Sequence, residues 1–327
     1  MSQTTSPKRP LLRTLLILGR VSNLPTVWSN CLAGWLLAGG GACSRFAVLG
    51  GGASLLYLGG MFLNDACDVR FDTAHRQERP IPSGAIPARA VWLCSAVLLL
   101  GGGVLLALLG LTTALVTLGL VLCIAMYDLV HKRTVLAPLL MAGCRFLLYL
   151  VAGSAALGGI NAKPLWCAGA LAAYIVGLSF IARKESDRGC PQPQRADEAE
   201  SLANNQRCLA SEGAAAEDSR APNLIHLNLL MLPLFIAPLI TGHLHVTPEN
   251  NVTLGLAGVG YVGWVIWSLW HMIKGGPPAI GRTVSALLAG IVLVDMLAVQ
   301  GGGGMMPLAF LALFASALIL QRTIPAT

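Results

Sequence analysis

Charge is what this sequence has least of. Of its 327 residues, 11% are Asp, Glu, Lys or Arg and 55% are hydrophobic, where a soluble domain carries about 25% charged residues. That shortage excludes an ordinary soluble enzyme, and no stretch is polar enough to read as a separate soluble domain. Paired cysteines are missing too. The nine cysteines stand singly, mostly inside apolar runs, with no Cys-x-x-Cys, so neither a disulfide framework nor a zinc site is indicated. A cleavable signal is also unsupported: Arg20 and Asn23 interrupt the first apolar run, and no small-residue cleavage site follows.

What is present is hydrocarbon in runs of about 20 residues, the length that crosses a bilayer. The runs lie at 14–38, 43–64, 88–110, 112–130, 135–158, 164–183, 223–242, 253–273, 282–299 and 304–320. They predict a single all-α integral membrane domain over 1–327, with ten spans, or nine if the last two, parted only by Gly301–Gly304, are one. A transmembrane barrel would need short alternating segments instead.

Every second loop is basic. Lys8/Arg9/Arg13, Arg70/Arg76/Arg79/Arg89, Lys132/Arg133, Arg183/Lys184/Arg188, Lys274/Arg282 and Arg322 fall on one side, with little beyond Arg45 and Lys163 on the other. By the positive-inside rule both termini are cytoplasmic, as expected of a multi-pass protein of the cell's inner (plasma) membrane. The net charge of +7 then reflects loop bias, and no nucleic-acid surface is indicated. Two cytoplasmic loops are long, 65–87 and 184–222. The second is polar, alanine-rich and poor in aromatics, a composition that predicts a solvated linker.

The first long loop concentrates the chemistry. Asn64–Gly84 reads NDACDVRFDTAHRQERPIPSG. Residues four apart on a helix differ by about 40° around its axis, so Asn64, Asp68 and Asp72 form one oxygen-bearing stripe with Asp65 on its flank. Such ligands suit a hard cation like Mg²⁺, which also binds substrate phosphates. Arg70, Arg76 and Arg79 can supply charge-assisted hydrogen bonds to phosphate oxygens. The prolines of RPIPSG stiffen the end of the segment, and Ser83-Gly84 prepares a turn.

N-D-x-x-D-x-x-x-D followed by R-P-I-P-S-G closely resembles the first aspartate-rich motif of the UbiA superfamily of intramembrane prenyltransferases. GRVSNLPTVWSN at 19–30 is similar to the family's opening helix, where an arginine and a proline-broken helix face the cavity, positions held here by Arg20 and Asn23. YDLVHK at 127–132 resembles the family's Tyr-x-x-x-Lys-Arg element, with His131 and Lys132 in place of Lys-Arg. The resemblance implies a helical bundle of about nine to ten spans around a central cavity open to the cytoplasmic side. It implies Mg²⁺ as cofactor and a polyprenyl diphosphate as substrate, joined to an aromatic or lipid acceptor that the sequence does not identify. Membrane lipids are the expected surroundings, with no obvious protein partner. Asp68, Asp72, Lys132 and Tyr127 are the implied catalytic residues. Lys132 would meet the diphosphate and Tyr127 would line the pocket. Asn64, Asp65, Asp68, Asp72 and Glu185 are the implied metal ligands, and Arg20, Asn23, Arg70, Arg76, Arg79, His131, Arg145, Arg183 and Lys184 the implied substrate-binding residues.

The family's second aspartate motif carries acids four apart. Here the corresponding stretch reads LSFIARKESDRG, and Glu185 and Asp187 are two apart, about 200° around a helix. Either Glu185 holds a metal alone, with Arg183 or Lys184 replacing the missing cation, or the protein binds a prenyl lipid without turning it over. This departure resembles a divergent branch encoded in bacterial ebo-type operons and associated with secondary-metabolite precursors. A phospholipid-alcohol phosphotransferase is less similar, because DACDVRFD lacks the Asp-Gly-x-x-Ala-Arg continuation.

Ionisable residues inside spans are costly and mark function or pairing. Arg145 in MAGCRFLLYL and Asp295 in IVLVDMLAV are such residues. Two readings stand: Arg145 faces the cavity near the diphosphate or acceptor, or the two form a structural ion pair. Asp128 is expected to pair locally with His131 and Lys132.

Overall fold

In a bilayer every backbone N–H and C=O needs a partner within its own segment, which favours helices for solid apolar runs. The computed structural model describes residues 10–130, 134, 136–186, 224–241, 248–274, 278–299 and 306–324. Their helices are α1 (Leu11–Leu18), α2 (Leu24–Leu37), α3 (Cys43–Cys67), α4 (Val69–His75), α5 (Ala88–Ala107), α6 (Leu111–Val130), α7 (Ala137–Ala155), α8 (Ala162–Ser186), α9 (Leu224–Thr241), α10 (Pro248–Lys274), α11 (Pro278–Ala298) and α12 (Met306–Thr323). Among the described residues seven, α3, α5, α6, α7, α8, α11 and α12, are long and apolar enough to cross a membrane.

Two boundaries differ from the sequence reading. The first run is broken at Gly19–Asn23, where a 3₁₀ turn (Val21–Asn23) precedes α2 and Pro25 lies in the first turn of the new helix. Proline is tolerated there because an N–H in the first turn has no intrahelical acceptor, so no helical hydrogen bond is lost. The loop expected over 65–87 is helical as far as His75, since α3 runs to Cys67 and α4 follows.

The bundle is apolar on its outer surface as well as in its core. On α6, Leu111, Leu115, Leu118, Leu122, Met126 and Leu129 are all exposed at helical spacing, a stripe that suits lipid. Within the apolar interior a few polar groups are fully buried, Thr26, Ser29, Asn30 and Asp295 among them. Helix α7 packs against α2, α6 and α8, α3 packs against α5, and α10, α11 and α12 pack in sequence. At the end away from the acidic motif, the Arg45 guanidinium donates to the carbonyls of Leu109 and Ala155, satisfying groups at two chain reversals.

Lipid supplies no hydrophobic drive between helices, so close backbone approach matters. The α3–α5 seam is such an approach: a Cβ on Gly102 would stand 2.8 Å from the Gly52 carbonyl oxygen and 3.0 Å from the Leu56 side chain. Because one obstacle is backbone, relief requires the helices to part. Gly102→Ala is expected to lower stability in detergent by about 1–3 kcal/mol, read as a fall in thermal midpoint. Gly103→Ala, whose Cβ meets nothing within 4 Å, is the control and should not fall.

Candidate functional site

The site begins where α3 ends. At the hinge, Asp68 has φ −84° and ψ −2°, yet the Asp68 N–H still donates to Asn64 O (3.0 Å), the Asp72 N–H to Asp68 O (2.9 Å), and the Arg76 N–H to Asp72 O (2.7 Å). The i to i−4 ladder therefore carries the spacing through, and the motif oxygens stay at one end of the bundle. A small apolar cluster of Leu18, Phe62, Ala66, Ile86 and Val91, with Ile81 against it, anchors both α1 and the proline-rich return beneath this end. That return turns at Gly84, whose φ of +74° suits glycine.

Arg79 folds back from the return. Its Nη1 lies 3.0 Å from Asp65 Oδ1 and 3.8 Å from Asp72 Oδ2, and Arg20 Nη2 lies 3.6 Å from Asp65 Oδ1. Arg20 is the one described non-glycine residue in the left-handed region, at φ +42°. Its carbonyl accepts from the Asn23 N–H (2.9 Å) and the Tyr57 hydroxyl (3.2 Å). A side chain rarely adopts this conformation, and here the helix break that requires it sets the guanidinium beside Asp65.

Asp65 and Asp72 are buried. Asp72 Oδ1 has no hydrogen-bond partner within the described structure, and a buried carboxylate oxygen left so is costly unless a donor or cation meets it. Asn64 Nδ2 donates to Asp128 Oδ1 at 3.0 Å, so Asp128 bonds across to the motif; the local partners expected for it, His131 and Lys132, lie outside the described residues. Tyr127 is half-buried and shares electrostatic surroundings with Arg20, Asp128 and Asp68.

Arg70 and Arg76 are not brought to these acids. Both are exposed, and Arg76 lies over the Phe71 ring at 5.9 Å. The reason for Arg70 is angular: two residues from Asp68, it stands about 200° away around the helix. His131 and Lys132 lie outside the described residues. Arg183, Lys184 and Glu185 belong to the backbone of α8, which reaches Ser186, but their side chains are outside the description. No three His, Cys, Asp or Glu side chains among the described residues already form a metal-holding group. Mg²⁺ does not need one, since one or two carboxylates and substrate phosphates commonly suffice.

Arg145 turns into the bundle. Its Nη1 donates to Asn30 Oδ1 (2.7 Å) and its Nη2 to Thr26 Oγ1 (3.0 Å). Asp295 Oδ2 in turn accepts from Asn30 Nδ2 (2.7 Å) and Ser29 Oγ (2.5 Å). A direct Arg145–Asp295 ion pair is not formed; Asn30 stands between them. Sequence reasoning singled out the two charges but missed Thr26, Ser29 and Asn30; their signal was polar residues within an apolar run, at helical spacing.

A separate open groove of about 700 Å³ runs between α10, α11 and α12, lined by Trp264, Trp267, Phe314 and Leu256 among others. Its lining holds no acid or base, so it suits hydrocarbon and cannot position a diphosphate. The charged end of α3, where the buried acids and guanidinium groups meet, is the candidate chemical site.

A polytopic helical bundle with buried carboxylates and guanidinium groups gathered at one end defines an intramembrane protein built to hold charge beside lipid. The sequence profile of the UbiA prenyltransferase family matches residues 25–190, and the chain belongs to that family. Digeranylgeranylglyceryl phosphate synthase of Methanothrix thermoacetophila is 30% identical over 171 residues, covering 52% of this chain and 61% of that protein. The chain thus matches about three fifths of this relative's length. Two solved structures share the fold. One, from work on digeranylgeranylglyceryl phosphate synthase in membranes, has a TM-score of 0.60 at 17% identity, covering 89% of this chain and 98% of that one. The other, the apo structure of a UbiA homolog from Aeropyrum pernix K1, has a TM-score of 0.57 at 14% identity, covering 85% and 96%.

Proposed function

We propose that the protein transfers a prenyl group from a polyprenyl diphosphate to an acceptor within the membrane, at the end of α3. The observation that carries this reading is the pair of buried carboxylates, Asp65 and Asp72, bridged by Arg79 with Asp72 Oδ1 left unmatched. Family membership and a synthase relative support it.

The unmatched Asp72 oxygen, with Asp68 one turn before it, fits a divalent cation; Asp65 and Asn64 flank them. Bound there, Mg²⁺ supplies positive charge to the departing diphosphate. The chain's own residues do the rest. Arg20 and Arg79 bind beside the same carboxylates, where charge-assisted bonds to diphosphate oxygens grow stronger as the allylic C–O bond breaks. His131 and Lys132, in the position of the family's basic element, add to that charge. Tyr127 presents a ring face that can stabilise the allylic cation. The apolar bundle keeps water from capturing that cation before the acceptor does. Arg183, Lys184 and Glu185 stand in the sequence position of the family's second acidic motif and are assigned one carboxylate and two cations there. The motif end faces the cytoplasm, as the basic loops favour.

The test uses purified protein with radiolabelled geranyl, farnesyl and longer diphosphates and Mg²⁺. Metal-dependent diphosphate release is expected, with at least about a hundredfold loss in Asp68→Asn. Tight binding without release, across a panel of acceptors, would instead make the protein a prenyl-lipid carrier.

A further inference from the structure

Arg145 is an unfavourable residue for its position. A charge inside a span is costly unless it is paired or serves a ligand. The simplest structural solution would be a direct, two-bonded ion pair with the one acid nearby, Asp295. The structure does something else. Asp295 commits one oxygen to Ser29 and Asn30, and the guanidinium is met by two neutral oxygens, from Asn30 and Thr26. No acid lies within ion-pair distance of Arg145 among the described residues.

The arrangement orients the cation without quenching it. Asn30 gives its N–H to Asp295 and its carbonyl to Arg145, so Asp295 fixes which way the amide faces. Thr26 and Asn30 are four apart on α2 and present one face to Arg145. Gly34, the next position on that face, allows the contact: a Cβ there would stand 2.7 Å from the Tyr149 carbonyl of α7. Everything that holds Arg145 is fully buried, while Arg145 itself keeps accessible surface. A guanidinium has five donors in a fork that matches carboxylate or phosphate oxygens, and the described residues engage two of them.

The position relates this fork to the chemical site. Arg145 shares electrostatic surroundings with Tyr57. Tyr57 bonds the Arg20 carbonyl, and Arg20 pairs with Asp65. Tyr57 precedes Asn64 by seven residues on α3, about 10 Å deeper along the helix. Arg145 is thus linked through Tyr57 and Arg20 to the acids at the end of α3. A hydrocarbon tail gains nothing from an arginine there.

We propose that Arg145, presented by Thr26 and Asn30 and backed by Asp295, is the acceptor's anion subsite, selecting a prenyl acceptor that carries a carboxylate or phosphate group. The inference rests on the prenyl-transfer reading for the word acceptor, while the subsite is testable without turnover.

The full chain in nanodiscs is titrated with two matched pairs: a monoalkylglycerol phosphate against the monoalkylglycerol, and benzoate against benzamide. At least one anion is expected to bind about 10- to 100-fold tighter than its neutral partner, and the pair that discriminates identifies phosphate or carboxylate as the source. Arg145→Met should erase that preference while leaving farnesyl diphosphate binding with Mg²⁺ within about threefold, and Arg145→Lys should restore part of it. Equal binding of charged and neutral partners by the unaltered protein overturns the proposal and needs no variant to fold. So does a preference that survives Arg145→Met, or an Arg145→Met loss shared equally by both members of each pair. Failure of the prenyl-transfer reading looks different: no diphosphate release in any mixture, with the anion preference still present.

Discussion

Asp72→Asn is expected to reduce metal-dependent diphosphate release by at least about a hundredfold while leaving the helical bundle intact. Asp72 is buried, one carboxylate oxygen lies 3.8 Å from Arg79 Nη1, and the other has no hydrogen-bond partner among the described residues. Asn keeps the shape but removes the charge that would draw a cation to that oxygen. The loss should be partly recovered by raising Mg²⁺ only if Asp68 and Asp65 can hold the ion without it. Release rates over a Mg²⁺ titration, beside circular dichroism of the same sample, check both parts. An unchanged rate at all Mg²⁺ concentrations would remove Asp72 from the site.

Arg79→Met is expected to cost more stability than any other single change at this end, about 3 kcal/mol. Breaking a buried pair strands its partner's charge, and here one guanidinium is shared by two carboxylates. Asp65 would retain Arg20 at 3.6 Å, whereas Asp72 would lose its ion-pair partner. The decisive comparison is the double variant Arg79→Met/Asp72→Asn. With the stranded charge gone, it should be more stable than Arg79→Met alone, a coupling that independent sites would not produce. Thermal unfolding in detergent reads all three proteins.

The site was legible in the sequence to the extent that its residues are neighbours along the chain. The spacing of Asn64, Asp68 and Asp72 survives in the structure because hydrogen bonds run continuously through the hinge at Asp68. Arg79 could be nominated only together with Arg70 and Arg76, since a sequence does not say which arginine a proline-rich return brings back. Asp128 is separated from Asn64 by 64 positions. No local spacing could predict that bond.

By itself the sequence determined that this is a helical membrane protein with its charge concentrated at one end. Those features arise from run length and from the cost of leaving backbone or charge in lipid, both of which act locally. Only the tertiary structure decided where the charges meet. The break at Gly19–Asn23 turns Arg20 towards Asp65, and the return past Arg76 sets Arg79 between Asp65 and Asp72. The close seat of α2 on α7 places Asn30 between Arg145 and Asp295. Each is a contact between distant segments, fixed by how closely backbones can approach and by the need of buried polar atoms for a partner.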